Sequence, residues 1–354
     1  MTEPLSFLKD LISAPGLSGY ETAVRTHIEA AWKPLTDELQ VSRLGSLHGL
    51  RRGTAEVAGK RPSILYAAHM DAIGLMVTRI VDGFLRVTEV GGLDPRVLPG
   101  QPVTVHGRQA LPGLIVQPPD HLLPDELKKK PVPLDHLWVD TGLLPQETAR
   151  LVRVGDLVSF AQPPIEFNGE SLAGHTLDNR ASVAALTVCL QELQGRQLTW
   201  DVWMAATSQE EETFGGAYTS AFAVRPDLAV AIDVTFASSP GSPAHSTFPM
   251  GKGITLGWGP NIHSGMFRAF KTLAESLEIP WKIDPAPANS GTDAYAMQIS
   301  ADGIPTMLIG IPLRYMHTPV EMVSLKDIRR AGRLLAEFAA ELDAGFMERL
   351  TWDD

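Results

Sequence analysis

From Asp178 onward, short apolar runs alternate with stretches of helical period, and that alternation restricts the chain to an α/β design. Asn179 to Leu193 predicts a helix, Thr199 to Thr207 a strand, Gly216 to Ala223 a helix and Leu228 to Ile232 a strand. Phe267 to Leu277, Thr306 to Ile309 and Leu325 to Leu342 continue as helix, strand and closing helix. The closing helix repeats apolar residues at Ile328, Leu334, Leu335, Phe338 and Leu342. Upstream, Pro4 to Leu35 has helical spacing in two stretches broken at Pro15–Gly19, and Ile64 to Ala68 is a compact apolar strand. Strands separated by helices pair in parallel and are covered on both faces. The expected fold is therefore a mainly parallel mixed sheet flanked by helices.

The texture changes after Gly74. Residues 75–167 carry short alternating runs, such as Phe84 to Val90 and Gln101 to Gly107, punctuated by Gly and Pro. That pattern predicts a small β-rich domain. It gives a discontinuous α/β domain, 1–74 with 168–354, interrupted by an insertion over 75–167.

The chain has 354 residues, enough for a large core, and is 44% hydrophobic and 20% charged. A net charge of -11 without a long basic run argues against nucleic acid as a partner. No apolar run reaches bilayer-spanning length, so no membrane is expected. The opening segment lacks a basic stretch followed by an apolar core, so no secretory signal is expected. The single cysteine, Cys189, excludes an internal disulfide and fits a reducing compartment, hence a cytoplasmic location.

Five separated segments end in a residue type that binds divalent metals: Ala67-Ala68-His69-Met70-Asp71, Thr176-Leu177-Asp178, Ser208-Gln209-Glu210-Glu211, Ala231-Ile232-Asp233 and Tyr315-Met316-His317. In open α/β sheets, ligands bind beyond the carboxyl ends of the strands. His69 and Asp71, two apart on extended backbone, point to one side, where the acid can fix the imidazole tautomer; a His–Asp pair capping a turn is the equal alternative. Asp178 precedes a helix, where capping is the ordinary role, although its two oxygens can also face two ions. On extended backbone Glu210 and Glu211 would point opposite ways and do different jobs. Acids packed at a buried strand end are costly unless cations neutralise them. Asp233 ends an apolar run, and His317 has a satisfied core histidine as its bland reading. The remaining histidines lack such settings and are expected to be structural or on the surface, His263 being the least certain. Asp178, Glu211 and Asp233 would bring three negative charges against four positive ones from two divalent ions, with a bridging hydroxide completing neutrality.

At these residues the chain resembles the family of glutamyl, deblocking and tetrahedral aminopeptidases, cocatalytic dinuclear-metal exopeptidases. The resemblance runs nearly end to end. It includes Pro15 to Glu21, Ala68 to Asp71 with Ile73-Gly74, Leu177 to Arg180, Gln209 to Glu211, Ile232 to Thr235, Gly291 to Ala294, and Leu313 to His317 with Pro319 to Glu321. It implies two divalent ions, zinc or cobalt, with His69 and Asp233 on one, Glu211 and His317 on the other, and Asp178 bridging. It also implies Glu210 as general base; Asp71, behind His69, is the second expected catalytic residue, and short peptides are the expected substrate. The insertion would be PDZ-like and used in homo-oligomer assembly, often into a hollow dodecamer. The chain departs from the family pattern at Ala72, Glu212-Thr213 and Ile254, all near the proposed ligands, which bears on substrate choice. Rival expectations are a metal-dependent amidohydrolase of N-acyl amino acids, an endoglucanase, and a non-catalytic assembly protein.

Overall fold

The computed structural model describes residues 4–352; positions 1 and 354, the outer bounds of the expected α/β domain, lie outside the described residues. An 11-stranded sheet forms the spine. Its centre is four parallel strands, in the order Asp201–Thr207, Ser63–His69, Leu228–Phe236, Thr306–Arg314. These segments are rich in Ala, Val, Ile and Leu and are buried nearly throughout, as strands covered on both faces must be.

The expectation of a mainly parallel sheet fails at the flanks. Glu38–Val41 and Leu47–Arg51 form an antiparallel ribbon that joins Asp201–Thr207 antiparallel. On the other side Glu321–Ser324, Ser171–Gly174 and Ile165–Phe167 add in antiparallel order. Brief turns join Glu38–Val41 to Leu47–Arg51 and Ile165–Phe167 to Ser171–Gly174, and a brief turn between neighbours enforces antiparallel pairing. The pairings of Leu47–Arg51 with Asp201–Thr207 and of Ser171–Gly174 with Glu321–Ser324 join segments distant in sequence. Ile254–Trp258 branches off antiparallel to Thr306–Arg314 and carries Trp281–Pro285 in parallel as an edge strand.

Helix Leu177–Glu192 lies at the heart of the molecule, buried from Leu177 through Leu190, so it has no polar face for solvent. Helices Pro4–Ser13 and Leu325–Glu341 pack on it, while Phe338 of the latter stacks on Phe270. The crossing with Leu325–Glu341 requires Gly332, because a Cβ there would lie 2.6 Å from the Ala185 carbonyl oxygen. Cys189 is fully buried in this core, as its apolar surroundings predict. No helix among the described residues is long and apolar enough to cross a membrane.

Six antiparallel strands between Gly74 and Phe160 close into a barrel with its own apolar core, including Leu75, Val105, Ile115 and Val139. Ile165–Phe167 pairs in the large sheet instead. The barrel reaches back to the sheet: the Gly91 amide donates to Glu212 Oε1 at 2.7 Å, and Gly92 lies against the imidazole of His317.

Several histidines are structural. His263 Nδ1 accepts from the Gly265 amide and caps helix Ser264–Ser276, while its ring lies on Trp352. His48 Nε2 is 2.7 Å from Ser220 Oγ, and burial pushes its pKa down to about 4. Burial, aided by Arg180, pushes His175 down to about 3. The unfolded chain protonates both near pH 6.5, so it binds more protons than the folded chain between that pH and pH 3–4. Stability from these two groups is complete above about pH 6.5 and is lost as pH falls through that window, on the order of 3 kcal/mol for His48 and about 5 kcal/mol for His175. Denaturation midpoints measured from pH 7.5 to 4.5 should fall less steeply in His48→Gln, which can keep the Ser220 bond, than in the parent. Equal slopes would remove His48 from this role.

Candidate metal centre

The parallel strands deliver the expected residues to one rim. His69 is the last residue of its strand, and its register partner Thr207 leads through Ser208 and Gln209 to Glu210 and Glu211. Asp233 sits within Leu228–Phe236 rather than ending it, because Val234-Thr235-Phe236 continue the pairing with Thr306–Arg314. Asp178 and His317 come from the segments that open helix Leu177–Glu192 and follow strand Thr306–Arg314.

The distances define two clusters sharing one carboxylate. Asp178 Oδ1 is 3.2 Å from His69 Nε2, and Asp178 Oδ2 is 3.3 Å from His317 Nε2. Asp233 Oδ1 stands 3.8 Å from His69 Nε2, and Glu211 Oε2 stands 3.5 Å from His317 Nε2. Glu210 Oε2 lies 3.7 Å from His69 Nε2. Ligand atoms about 2.0–2.1 Å from a tetrahedral metal are about 3.3 Å apart, so these spacings suit donors around a common ion. Donor atoms of His69, Glu210 and Asp233, and of His69, Asp178 and Glu211, gather within 4.8 Å of one another. Asp178 does not cap its helix; its backbone there is not helical and its oxygens are turned to the two imidazoles.

The paired glutamates are not on extended backbone as expected. Glu210–Thr213 is one helical turn, because Asp71 accepts the amides of Glu210 at 3.0 Å and Glu211 at 3.2 Å. An acid accepting the first amides of a turn satisfies donors that lack helical partners. Asp71 Oδ1 is also 3.5 Å from His69 Nδ1, at the outer limit of hydrogen-bond reach. Asp71 thus fixes the glutamates and stands behind His69 at once.

Electrostatics point to cations. Burial, then the charge of Asp178, pushes the Glu211 carboxyl well above the usual range. Burial likewise raises Glu210 and Asp233, with neighbouring acids adding to the rise and His69 opposing it. Burial would lower the pKa of His69, but Glu210, Asp178 and Asp71 outweigh it and hold the imidazole well above its ordinary value. Asp178 goes the other way: His317 and His69 overcome its burial and depress it. Glu211 Oε1 is buried without a hydrogen-bond partner. Crowded, desolvated acids facing two imidazoles are the donor set of a divalent-metal site, and the residues fit that group.

Two further acids hold the site. Glu321, fully buried, accepts the Asp178 amide through Oε2 and the His317 amide through Oε1, both at 2.9 Å. One carboxylate thereby clamps the backbones of both residues that face each other across the site. Asp293 is buried beside the cluster, accepts from the Thr207 hydroxyl at 2.5 Å, and is pushed up to about 6 chiefly by burial. Both lie in segments that carry the family resemblance, but no local pattern assigns them a task. Beneath the rim, Arg180 is fully buried and donates to the carbonyls of Leu11, Ala14, Gly16 and Met70. Burial pulls it down to about 9, while Asp71, Glu321 and Glu21 hold it up. Asn179 donates to the Ile232 carbonyl and ties the Asp178 loop to the Asp233 strand. A cleft of about 640 Å³ opens over the cluster.

An α/β sheet with imidazoles and carboxylates convergent at its strand ends defines a metal-dependent hydrolase. The family model of the M42 glutamyl aminopeptidases matches residues 52–334. The lysyl aminopeptidase of Pyrococcus furiosus is 32% identical over 343 residues, 95% of this chain and 96% of that one. The TET aminopeptidase of the marine sediment archaeon Thaumarchaeota archaeon SCGC AB-539-E09 superposes with a TM-score of 0.92 at 31% identity, covering 98% of this chain and 99% of that one. The TET1 peptidase of Pyrococcus horikoshii, which can assemble into a tetrahedron or a large octahedral shell, gives 0.83 at 30% identity over 96% of this chain and 100% of that one. The chain belongs to the M42 glutamyl aminopeptidase family. It is a metal-dependent aminopeptidase, a hydrolase of peptide bonds.

Proposed function

We propose that the chain removes amino-terminal residues from short peptides with two divalent ions, zinc or cobalt. His69 and Asp233 would hold one ion and Glu211 and His317 the other, with Asp178 shared between them. The observation that carries this reading is the division of Asp178, one oxygen toward each imidazole. The ions, when bound, polarise the scissile carbonyl and acidify water. Glu210 takes the proton of the attacking water and returns it to the leaving amine. Asp71 positions Glu210 and Glu211 through their amides and orients His69 from behind. The surrounding acids bind the free α-amine, which confines cleavage to the end of a chain.

Residues 75–167 act in this proposal as a PDZ-like assembly module, and the protein works as a cytoplasmic homo-oligomer, in the hollow dodecameric form. The barrel's separate core and the shell formed by the Pyrococcus horikoshii relative support that role. The test is a panel of aminoacyl anilides and N-acetyl amino acids, run after chelation and after zinc, cobalt or manganese is restored. Anilide cleavage lost on chelation and regained with metal is the expected result. Preferential cleavage of the N-acetyl compounds would replace the aminopeptidase reading with an amidohydrolase one.

A further inference from the structure

The cleft extends from Asp233 across the sheet to a second acid that the proposed chemistry does not use. Asp284 lies on the edge strand Trp281–Pro285, in register with Gly257, which faces Leu308 on the next strand. One row over, Thr255 pairs with Gly310, which pairs with Asp233. Register neighbours share a sheet face, so Asp233, Leu308 and Asp284 point to the same side. Gly310 and Gly257 make room for Thr255, Thr235 and Leu308, whose side chains floor the trough. A Cβ on Gly310 would lie 2.2 Å from Thr255 Oγ1 and 3.1 Å from Thr235 Cγ2, and one on Gly257 would lie 2.9 Å from Leu308 Cβ.

Asp284 is fixed at the end of this trough. Its Oδ2 accepts from Thr235 Oγ1 at 2.7 Å and Thr255 Oγ1 at 3.4 Å. Thr235 is two residues beyond Asp233 on the same strand, about 7 Å along it. That interval suits the four-carbon stem of a lysine whose α-amine sits at the metal cluster. Leu308 and Met316 supply apolar wall for such a stem. Burial pushes the Asp284 carboxyl up, opposed only by the two threonine hydroxyls, and among the described residues no Lys or Arg neutralises it. A half-buried acid without a cation, lining the cleft that opens over the reacting centre, is built to receive a positive charge.

We propose that Asp284 is the specificity-determining residue, receiving the cationic side chain of the substrate's first residue and making peptides with amino-terminal Lys or Arg the preferred class. This rests on the aminopeptidase reading for the position of the α-amine. Isosteric Asp284→Asn can keep the threonine bonds and removes only the charge. With Lys-, Arg-, Leu- and Glu-anilides, the parent should favour Lys and Arg over Leu by about tenfold or more in kcat/KM, and Asp284→Asn should lower the Lys:Leu ratio by about tenfold, mainly through KM. A parent preference for Leu or Glu, or a Lys:Leu ratio unchanged in Asp284→Asn, would overturn the proposal. Calorimetric binding of free L-lysine against L-norleucine, with zinc supplied, gives a readout independent of turnover. A lysine advantage lost in Asp284→Asn supports the site even if no anilide is cleaved, which would instead count against the peptidase chemistry. Thermal melting of Asp284→Asn and Asp284→Ser checks folding, and equal lysine and norleucine binding by the folded parent overturns the assignment.

Discussion

Glu210→Gln is expected to lower kcat by roughly 10²- to 10⁴-fold while the protein still binds two metal ions per chain. The amide has the shape of the acid and leaves the Glu210 backbone bond to Asp71 in place. It cannot take a proton from water at neutral pH. The prediction is sharp because Glu210 stands at 3.7 Å from His69 Nε2, almost as near as Asp233 at 3.8 Å, and its carboxylate also gathers with theirs. Geometry thus gives Glu210 two possible employments, ligand or base. Metal content separates them. If Glu210→Gln loses an ion along with its activity, Glu210 is a ligand; if it keeps both ions and near-normal turnover, the base is elsewhere.

Asp178→Asn should have the opposite signature, with metal and activity lost together. Asp178 supplies an oxygen to each imidazole, so an amide places its NH₂ group toward one of the two sites and removes the charge shared by both. Metal content is expected to fall to one ion per chain or fewer, and kcat/KM by on the order of 10³. The fold should persist, because the Asp178 amide still donates to Glu321 and Asn179 still holds Ile232. Elemental analysis and circular dichroism on the same sample provide the check. Two retained ions would mean that Asp178 does not join the sites.

Much of this was legible before any coordinates. The strand–helix alternation placed the central parallel strands, and acids beside apolar runs marked His69, Asp178, Glu210, Glu211, Asp233 and His317 as one set, which the fold gathers. Family resemblance, rather than spacing, divided them between ions. What failed was long-range. The antiparallel flanks depend on which short segment meets which, and a run of four residues carries no record of its neighbour's direction. The helical turn at Glu210 depends on Asp71, distant in sequence, accepting its amides. Glu321 works through the backbone amides of two other residues, and such a task leaves no trace in side-chain pattern.

The contacts of Gly91 with Glu212 and of Gly92 with His317 have a mechanical consequence. The barrel is no passive appendage. Its loop abuts a proposed ligand, so a strain applied to the barrel by a neighbouring subunit has a two-residue path to the imidazole. A shift of the barrel therefore moves backbone that borders the proposed centre.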